Sequence, residues 1–250
     1  MSLDGRTILI TGAAGAIGQA CVRRLSERGA RIMMTDRVET APADGVDLDW
    51  IKADVTDRDA IQSIVQATIE RFGRLDAVVL AAGVEGPVGP VEDLTEADLD
   101  QVLAVNLKGS LFALQAALPV MKRQGSGSIV ALSSISGVIG SASLAAYTIS
   151  KHAVIGLVRA AALEVAASGV RVNAVCPGPI DSRMMQRLDR ALSERYPDRV
   201  VGTGGGAAGL PIQRYVTADE VARMIAFLCS DEAASCTGGT YMVDGGFTAK

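Results

Sequence analysis

Seven short apolar runs, at residues 7–11, 31–35, 50–53, 77–81, 128–133, 170–175 and 241–243, alternate along the chain with stretches of helical periodicity. The helical stretches fall near 17–28, 57–72, 95–123, 147–168, 183–195 and 217–230. Runs such as Ile8-Leu9-Ile10 and Val78-Val79-Leu80 are apolar at every position, so a strand built from them needs cover on both faces. The intervening helices supply that cover. The pattern therefore predicts an α/β fold: a doubly wound parallel sheet of about seven strands with helices on both faces. Thr217-Ala218-Asp219-Glu220 has the residues of a capping box at a helix start, and Thr95 to Asp98 offers a weaker version. With 250 residues, no internal repeat and no Pro/Ser-rich linker, the chain reads as one domain over 1–250.

Composition removes several classes. A formal charge of −4 leaves no basic excess for phosphate backbones, so nucleic acid is not an expected partner. The cysteines at 21, 176, 229 and 236 make no C-x-x-C, and His152 is the sole histidine, so no metal site is expected. The apolar run 8–10 is too short for a signal-peptide core, and no uninterrupted apolar stretch reaches membrane-spanning length. No membrane partner is expected, and the cytoplasm is the default location.

The first chemical signal is Thr11-Gly12-Ala13-Ala14-Gly15-Ala16-Ile17-Gly18, between the first strand and the first helix. Small residues there let the backbone approach a pyrophosphate, whose charge is favoured by free N–H groups at the helix N-terminus. No Gly-Lys-Ser/Thr ending follows, which disfavours a nucleoside-triphosphate loop. The second strand runs into Asp36, eighteen positions after Gly18, close to the ~20-residue spacing of a ribose-binding carboxylate. Asp36 would accept from both ribose hydroxyls and repel a 2′-phosphate, so NAD is favoured over NADP. Arg37 is read as a solvated surface residue.

Tyr147 and Lys151, four apart on a predicted helix, share one face and can flank one cavity. An ammonium near a phenol favours the phenolate, which leads us to expect a lowered Tyr147 pKa. Ser134 stands thirteen residues before the tyrosine. With these residues, the Thr11 to Gly18 turn, Asp54-Val55, Asn106, Pro177-Gly178 and Val243-Asp244-Gly245-Gly246, the chain closely resembles a classical short-chain dehydrogenase/reductase of the Rossmann-fold type. It departs from the family at Ala16, usually glycine, and at Leu80-Ala81-Ala82-Gly83, which lacks the common asparagines.

The resemblance implies roles. Tyr147 would be the general acid/base, Lys151 would hold the nicotinamide ribose and tune Tyr147, and Ser134 would orient the substrate oxygen. Asn106 matches the helix asparagine that holds a proton-relay water. Asp54 and Val55 would contact adenine, Ala82 and Gly83 would line the cofactor beside the fourth strand, and Pro177, Gly178, Ile180 and Ser182 would form the nicotinamide loop. Asp54 could otherwise be an ordinary strand-to-helix cap. His152 lies about 100° round the helix from Lys151 and is read as structural or solvent-facing.

The expected function is oxidation of a secondary alcohol, or reduction of a ketone, with NAD(H) by a Ser-Tyr-Lys mechanism. The alternatives are a 3-oxoacyl carrier-protein reductase and a noncatalytic dinucleotide-binding sensor or structural subunit. Loops 84–92, 136–146 and 181–211 are expected to set substrate fit, within a variable segment near 181–215 that includes a Gly/Ala-rich stretch at 202–209. Met184, Met185 and Leu188 could line an apolar pocket or simply pack in the core. The helices at 95–123 and 147–168 resemble the family's paired-helix interface, implying a homotetramer or dimer.

Overall fold

A computed structural model describes residues 2–38, 47–196 and 210–249. Seven strands, β1 (Thr7–Thr11), β2 (Arg31–Asp36), β3 (Leu48–Lys52), β4 (Ala77–Leu80), β5 (Gly127–Leu132), β6 (Val170–Pro177) and β7 (Thr240–Val243), form one sheet in the order β3-β2-β1-β4-β5-β6-β7. Every pairing is parallel. The order reverses between β1 and β4, which opens a crevice outside the carboxyl ends of those strands.

Alternation along each strand divides the core in two. Leu9, Val78, Ile129 and Val172 enter one cluster with α2 (Arg58–Phe72), α4 (Gly109–Gln124) and α5 (Ala145–Val165). Their neighbours Ile8, Ile10, Val79, Val130 and Val175 enter the other with α1 (Ala16–Ser26) and α7 (Ala218–Cys229). The continuous apolar runs thus serve both faces, as the sequence pattern required.

Local chemistry sets the ends. Asp57 caps α2 by accepting from the Asp59 and Ala60 N–H groups, and Gly73 ends it with φ +80°. Thr217 and Glu220 form the full capping box of α7. At Thr95 the box is incomplete, because the Asp98 carboxylate accepts from the Thr95 hydroxyl at 2.5 Å and its backbone N–H donates to Thr95 Oγ1 at 3.2 Å.

The helix expected over 95–123 is one helical run with an irregular centre. It comprises α3 (Glu96–Leu103), a π-helical segment (Ala104–Lys108) that carries Asn106, and α4. By length and composition the run Glu96–Gln124 is apolar enough to cross a membrane, but Ala113, Leu114, Ala117 and Met121 are spent in the core. Helix α6 (Arg183–Arg195) covers the carboxyl end of the sheet, with Ser182 accepting from the Met185 N–H at its start. The Gly/Ala-rich stretch at 202–209 lies outside the described residues.

Candidate active site

The switch-point crevice is a cleft of about 930 Å³. One half is built largely of backbone. Gly12 has φ +68°, and a Cβ there would stand 2.5 Å from the Ala82 nitrogen; a Cβ on Gly18 would overlap the Gly12 carbonyl oxygen. These glycines let β1, α1 and the segment after β4 close to contact distance. Gly15 caps α1 without any side-chain bond, so the first-turn N–H groups remain available to an anion. Ala16, in place of the usual glycine, is accepted as the first helical residue.

Asp36 stands at the end of β2. Its Oδ2 accepts from the Ala14 N–H at 3.1 Å and its Oδ1 from the Val38 N–H at 3.3 Å, which orients the carboxylate with lone pairs to spare. Arg37 is 64% exposed, and its Nη1 lies 3.7 Å from Asp54 Oδ2. Asp54 also accepts from the Thr56 N–H and hydroxyl, and these bonds with Arg37 hold its carboxyl below the usual range against partial burial. Asp54 is not the helix cap; that residue is Asp57.

At the other half, Ser134 follows β5, while Tyr147 and Lys151 lie on the first two turns of α5. The Ser134 hydroxyl acts on the Tyr147 phenol and opposes the rise of its pKa. Ser134 Oγ also accepts from the Ser136 N–H at 3.1 Å. Lys151 is held at both ends: its Nζ donates to the Leu132 carbonyl at 2.8 Å, and its own carbonyl accepts from Ser133 Oγ at 2.9 Å. The ammonium sits 5.5 Å from the Tyr147 ring centre.

The expected lowering of the Tyr147 pKa is not what this structure has. Burial pushes the phenol up to about 12, opposed by the Ser134 hydrogen bond and assisted by the negative charge of Glu85. Burial likewise draws Lys151 down to about 8. Desolvation outweighs attraction because the ammonium is directed to a backbone carbonyl rather than to the phenol oxygen.

Gly12, Gly15, Ala16, Ile17, Gly18, Asp36, Asp54, Val55, Ala82, Gly83, Ser134, Tyr147, Lys151, Pro177, Gly178, Ile180 and Ser182 all line this cleft. Asn106 does not. It is buried behind the cleft, where its Nδ2 donates to the Val84 carbonyl and to Ser150 Oγ, both at 2.9 Å, and its Oδ1 accepts from the Val84 N–H at 2.8 Å. A Cβ on Gly83 would meet both Asn106 Oδ1 and Lys151 Nζ, so Asn106 fixes the strand end against the lysine. His152 is exposed on the far side.

At the substrate end Met184, Met185 and Leu188 of α6 line the cleft, the first of the two readings the sequence left open, and further residues join them. Leu192 of the same helix, Ile139, Leu144 and Phe247 complete the apolar lining. Ser143, at φ +67°, donates from Oγ to the Tyr196 hydroxyl at 3.1 Å, and its carbonyl accepts from the Gly89 N–H. Arg187 pairs with Glu85, and Arg195 with Asp93, across the cleft mouth. Helical spacing pointed to the methionines, whereas the ion pairs have no local signal.

A parallel sheet with an anion-ready glycine turn, a ribose-height carboxylate and a Ser-Tyr-Lys group at one switch point defines a nicotinamide-dinucleotide oxidoreductase fold. The family model described as Enoyl-(Acyl carrier protein) reductase matches residues 12–248. Levodione reductase of Leifsonia aquatica is 35% identical, over 98% of this chain and 94% of its own length. Cis-4-hydroxycyclohexanecarboxylate dehydrogenase of Sinomonas cyclohexanicum is 39% identical, over 98% and 97%. The crystal structure of levodione reductase superposes with TM-score 0.92 at 34% identity, covering 98% of each chain. That of NAD+-bound xylitol dehydrogenase gives 0.89 at 31% identity, covering 98% of this chain and 100% of the other. The chain belongs to the classical short-chain dehydrogenase/reductase family, whose members use nicotinamide dinucleotides.

Proposed function

We propose that this protein is an NAD-dependent oxidoreductase acting on a secondary alcohol or its ketone, with 1–250 as a single cofactor-binding and catalytic domain. The observation that carries this reading is the convergence of Ser134, Tyr147 and Lys151 on one wall of a cleft whose other half is the glycine turn. The cradle fits a dinucleotide: Gly12, Gly15 and Gly18 would admit its pyrophosphate, Asp36 its adenosine ribose, Asp54 and Val55 its adenine, and Lys151 its second ribose. Ala82 and Gly83, with the loop Pro177, Gly178, Ile180 and Ser182, would flank the nicotinamide. Asp36, with no cation in the turn 12–18 to offset it, supports NAD over NADP. When bound, the cofactor supplies hydride exchange with the substrate carbon.

The chain's own residues handle the proton. Tyr147, a phenol that is protonated at neutral pH and held so more firmly by burial, is ready to donate to a carbonyl oxygen in reduction and receives the proton back in oxidation. Ser134 donates to the same oxygen as negative charge develops there. Lys151 carries its charge at neutral pH, since its lowered value of about 8 still lies above 7. It steadies the deprotonated phenol that oxidation requires. Asn106 acts from behind, as a positioning residue. A cytoplasmic location and a homodimer or homotetramer complete the reading; Leu163 and Ile149, 86% and 45% exposed on α5, support association through that helix.

The test is a panel of secondary alcohols with NAD and NADP, and of ketones with the reduced forms, run on the parent and on Tyr147→Phe. The parent turns over with NAD(H) preferred, and the variant loses ~10²–10⁴-fold in kcat while binding NAD normally. Turnover undiminished in Tyr147→Phe contradicts the assigned role. A strong preference for NADPH and 3-oxoacyl thioesters favours the carrier-protein reductase reading.

A further inference from the structure

Beyond Tyr147 the cleft wall mixes apolar side chains with serines and arginines, and among the described residues one carboxylate, Glu85, stands in it. Glu85 lies two residues past Gly83, with its side chain 17% exposed. Arg187 of α6 holds it from across the cleft, Nε donating to Oε1 at 2.8 Å and Nη2 to Oε2 at 3.2 Å. The Arg187 side chain is 64% exposed, so the carboxylate, not the guanidinium, is the more enclosed member of the pair. Arg187 occupies two of the roughly four lone-pair directions of Glu85. The rest can accept from a bound molecule. Glu85 and Tyr147 line the same cleft, and the negative charge of Glu85 acts on the Tyr147 phenol.

We propose that Glu85 determines specificity at the substrate end, accepting a hydrogen bond from a second hydroxyl beside the reacting carbinol of a neutral diol or polyol and turning away substrates with a carboxylate there. This deepens the hydride-transfer reading of the cleft and rests on it. An acidic substrate would have to take Arg187 from Glu85, stranding a partly buried carboxylate next to a second anion. A hydroxyl meets the opposite situation, because it donates to an acceptor already oriented and half-neutralised by the arginine. The other cations lining this part of the cleft offer an acid little: Arg183 is exposed, and Lys151 is directed to the Leu132 carbonyl. The surrounding Met184, Met185, Leu188 and Ile139 suit the carbon skeleton of a compact ring or short chain.

The experiment compares kcat/KM for three matched substrates with NAD: a cyclic 1,2-diol, the mono-alcohol of the same ring, and the hydroxy acid carrying a carboxylate in place of the second hydroxyl. The parent ranks diol above mono-alcohol above hydroxy acid. Glu85→Ala lowers the diol-to-mono-alcohol ratio by ~10-fold or more, the worth of a hydrogen bond to a charged group, and raises the hydroxy-acid ratio. Arg187→Met keeps the diol preference and rejects the acid more strongly. If Glu85→Ala does not fold, the isosteric Glu85→Gln must still raise the hydroxy-acid ratio. Ratios unchanged in the Glu85 variants overturn the proposal, as does a parent preference for the hydroxy acid that Arg187→Met abolishes. A parent that binds NAD but turns over none of the three overturns the hydride-transfer reading itself, and this inference with it.

Discussion

The two halves of the cleft are built by different means. Around Gly12, Gly15, Gly18 and Asp36 the site is main chain held at contact distance, and the side chains matter chiefly by being small. Around α6 it is an apolar lining tied to the opposite wall by Arg187 with Glu85, Arg195 with Asp93 and Tyr196 with Ser143. At Gly12 and Gly18 the first half tolerates no added volume. The second can exchange side chains, because a largely exposed ion pair such as Arg195 with Asp93 contributes only about 0–1 kcal/mol. A family can therefore keep one cofactor cradle and vary what it acts upon.

Gly18→Val should break the comparison most severely. Its Cβ would overlap the Gly12 carbonyl oxygen, which is backbone and cannot step aside. Overpacking of this kind costs about 1–3 kcal/mol, so calorimetry should give a lower Tm, and titration should show NAD affinity reduced more than ~10-fold. Unchanged binding would mean that the turn is not the cradle.

Asp36→Ala adds no volume; besides its bonds to the Ala14 and Val38 N–H groups it removes a ribose acceptor together with a repulsive charge. The NAD-to-NADP ratio of kcat/KM should fall by about 10-fold, the scale of one charged hydrogen bond. A ratio that stays put would remove Asp36 from the ribose site.

Lys151→Met tests the reacting half through stability alone. The folded-state pKa of Lys151 is depressed to about 8 from an ordinary 10.5, so between those values the unfolded chain holds the extra proton and native stability rises with pH. The buried charge therefore weighs on the fold below pH 8. The variant, measured without cofactor, should gain on the parent at pH 7, and that gain should shrink toward pH 10. A difference independent of pH would show that the ammonium is not desolvated.

The sequence disclosed the cradle more fully than the substrate end, and the reason is physical. Strand alternation and the Gly12 to Gly18 turn are local patterns whose geometry follows from few residues. Seven parallel strands and the clustering of Gly12, Asp36, Ser134, Tyr147 and Lys151 were legible on that account. The pairing of Glu85 with Arg187 spans 102 positions, as does that of Asp93 with Arg195, and no periodicity links them. The π-helical segment at Asn106 and the raised pKa of Tyr147 depend on tertiary contacts and burial. Spacing placed Lys151 beside the tyrosine but could not reveal that its ammonium is directed to Leu132.

Isotope transfer gives the most direct measurement. The parent protein is incubated with NAD+ and a neutral secondary alcohol deuterated at its carbinol carbon, and the cofactor is recovered for mass spectrometry. The account predicts that one deuterium per turnover appears in the reduced nicotinamide and that Tyr147→Phe yields almost none in the same interval. Bound NAD recovered without label, across alcohols that reach the cleft, would contradict hydride transfer and leave a protein that only senses the dinucleotide.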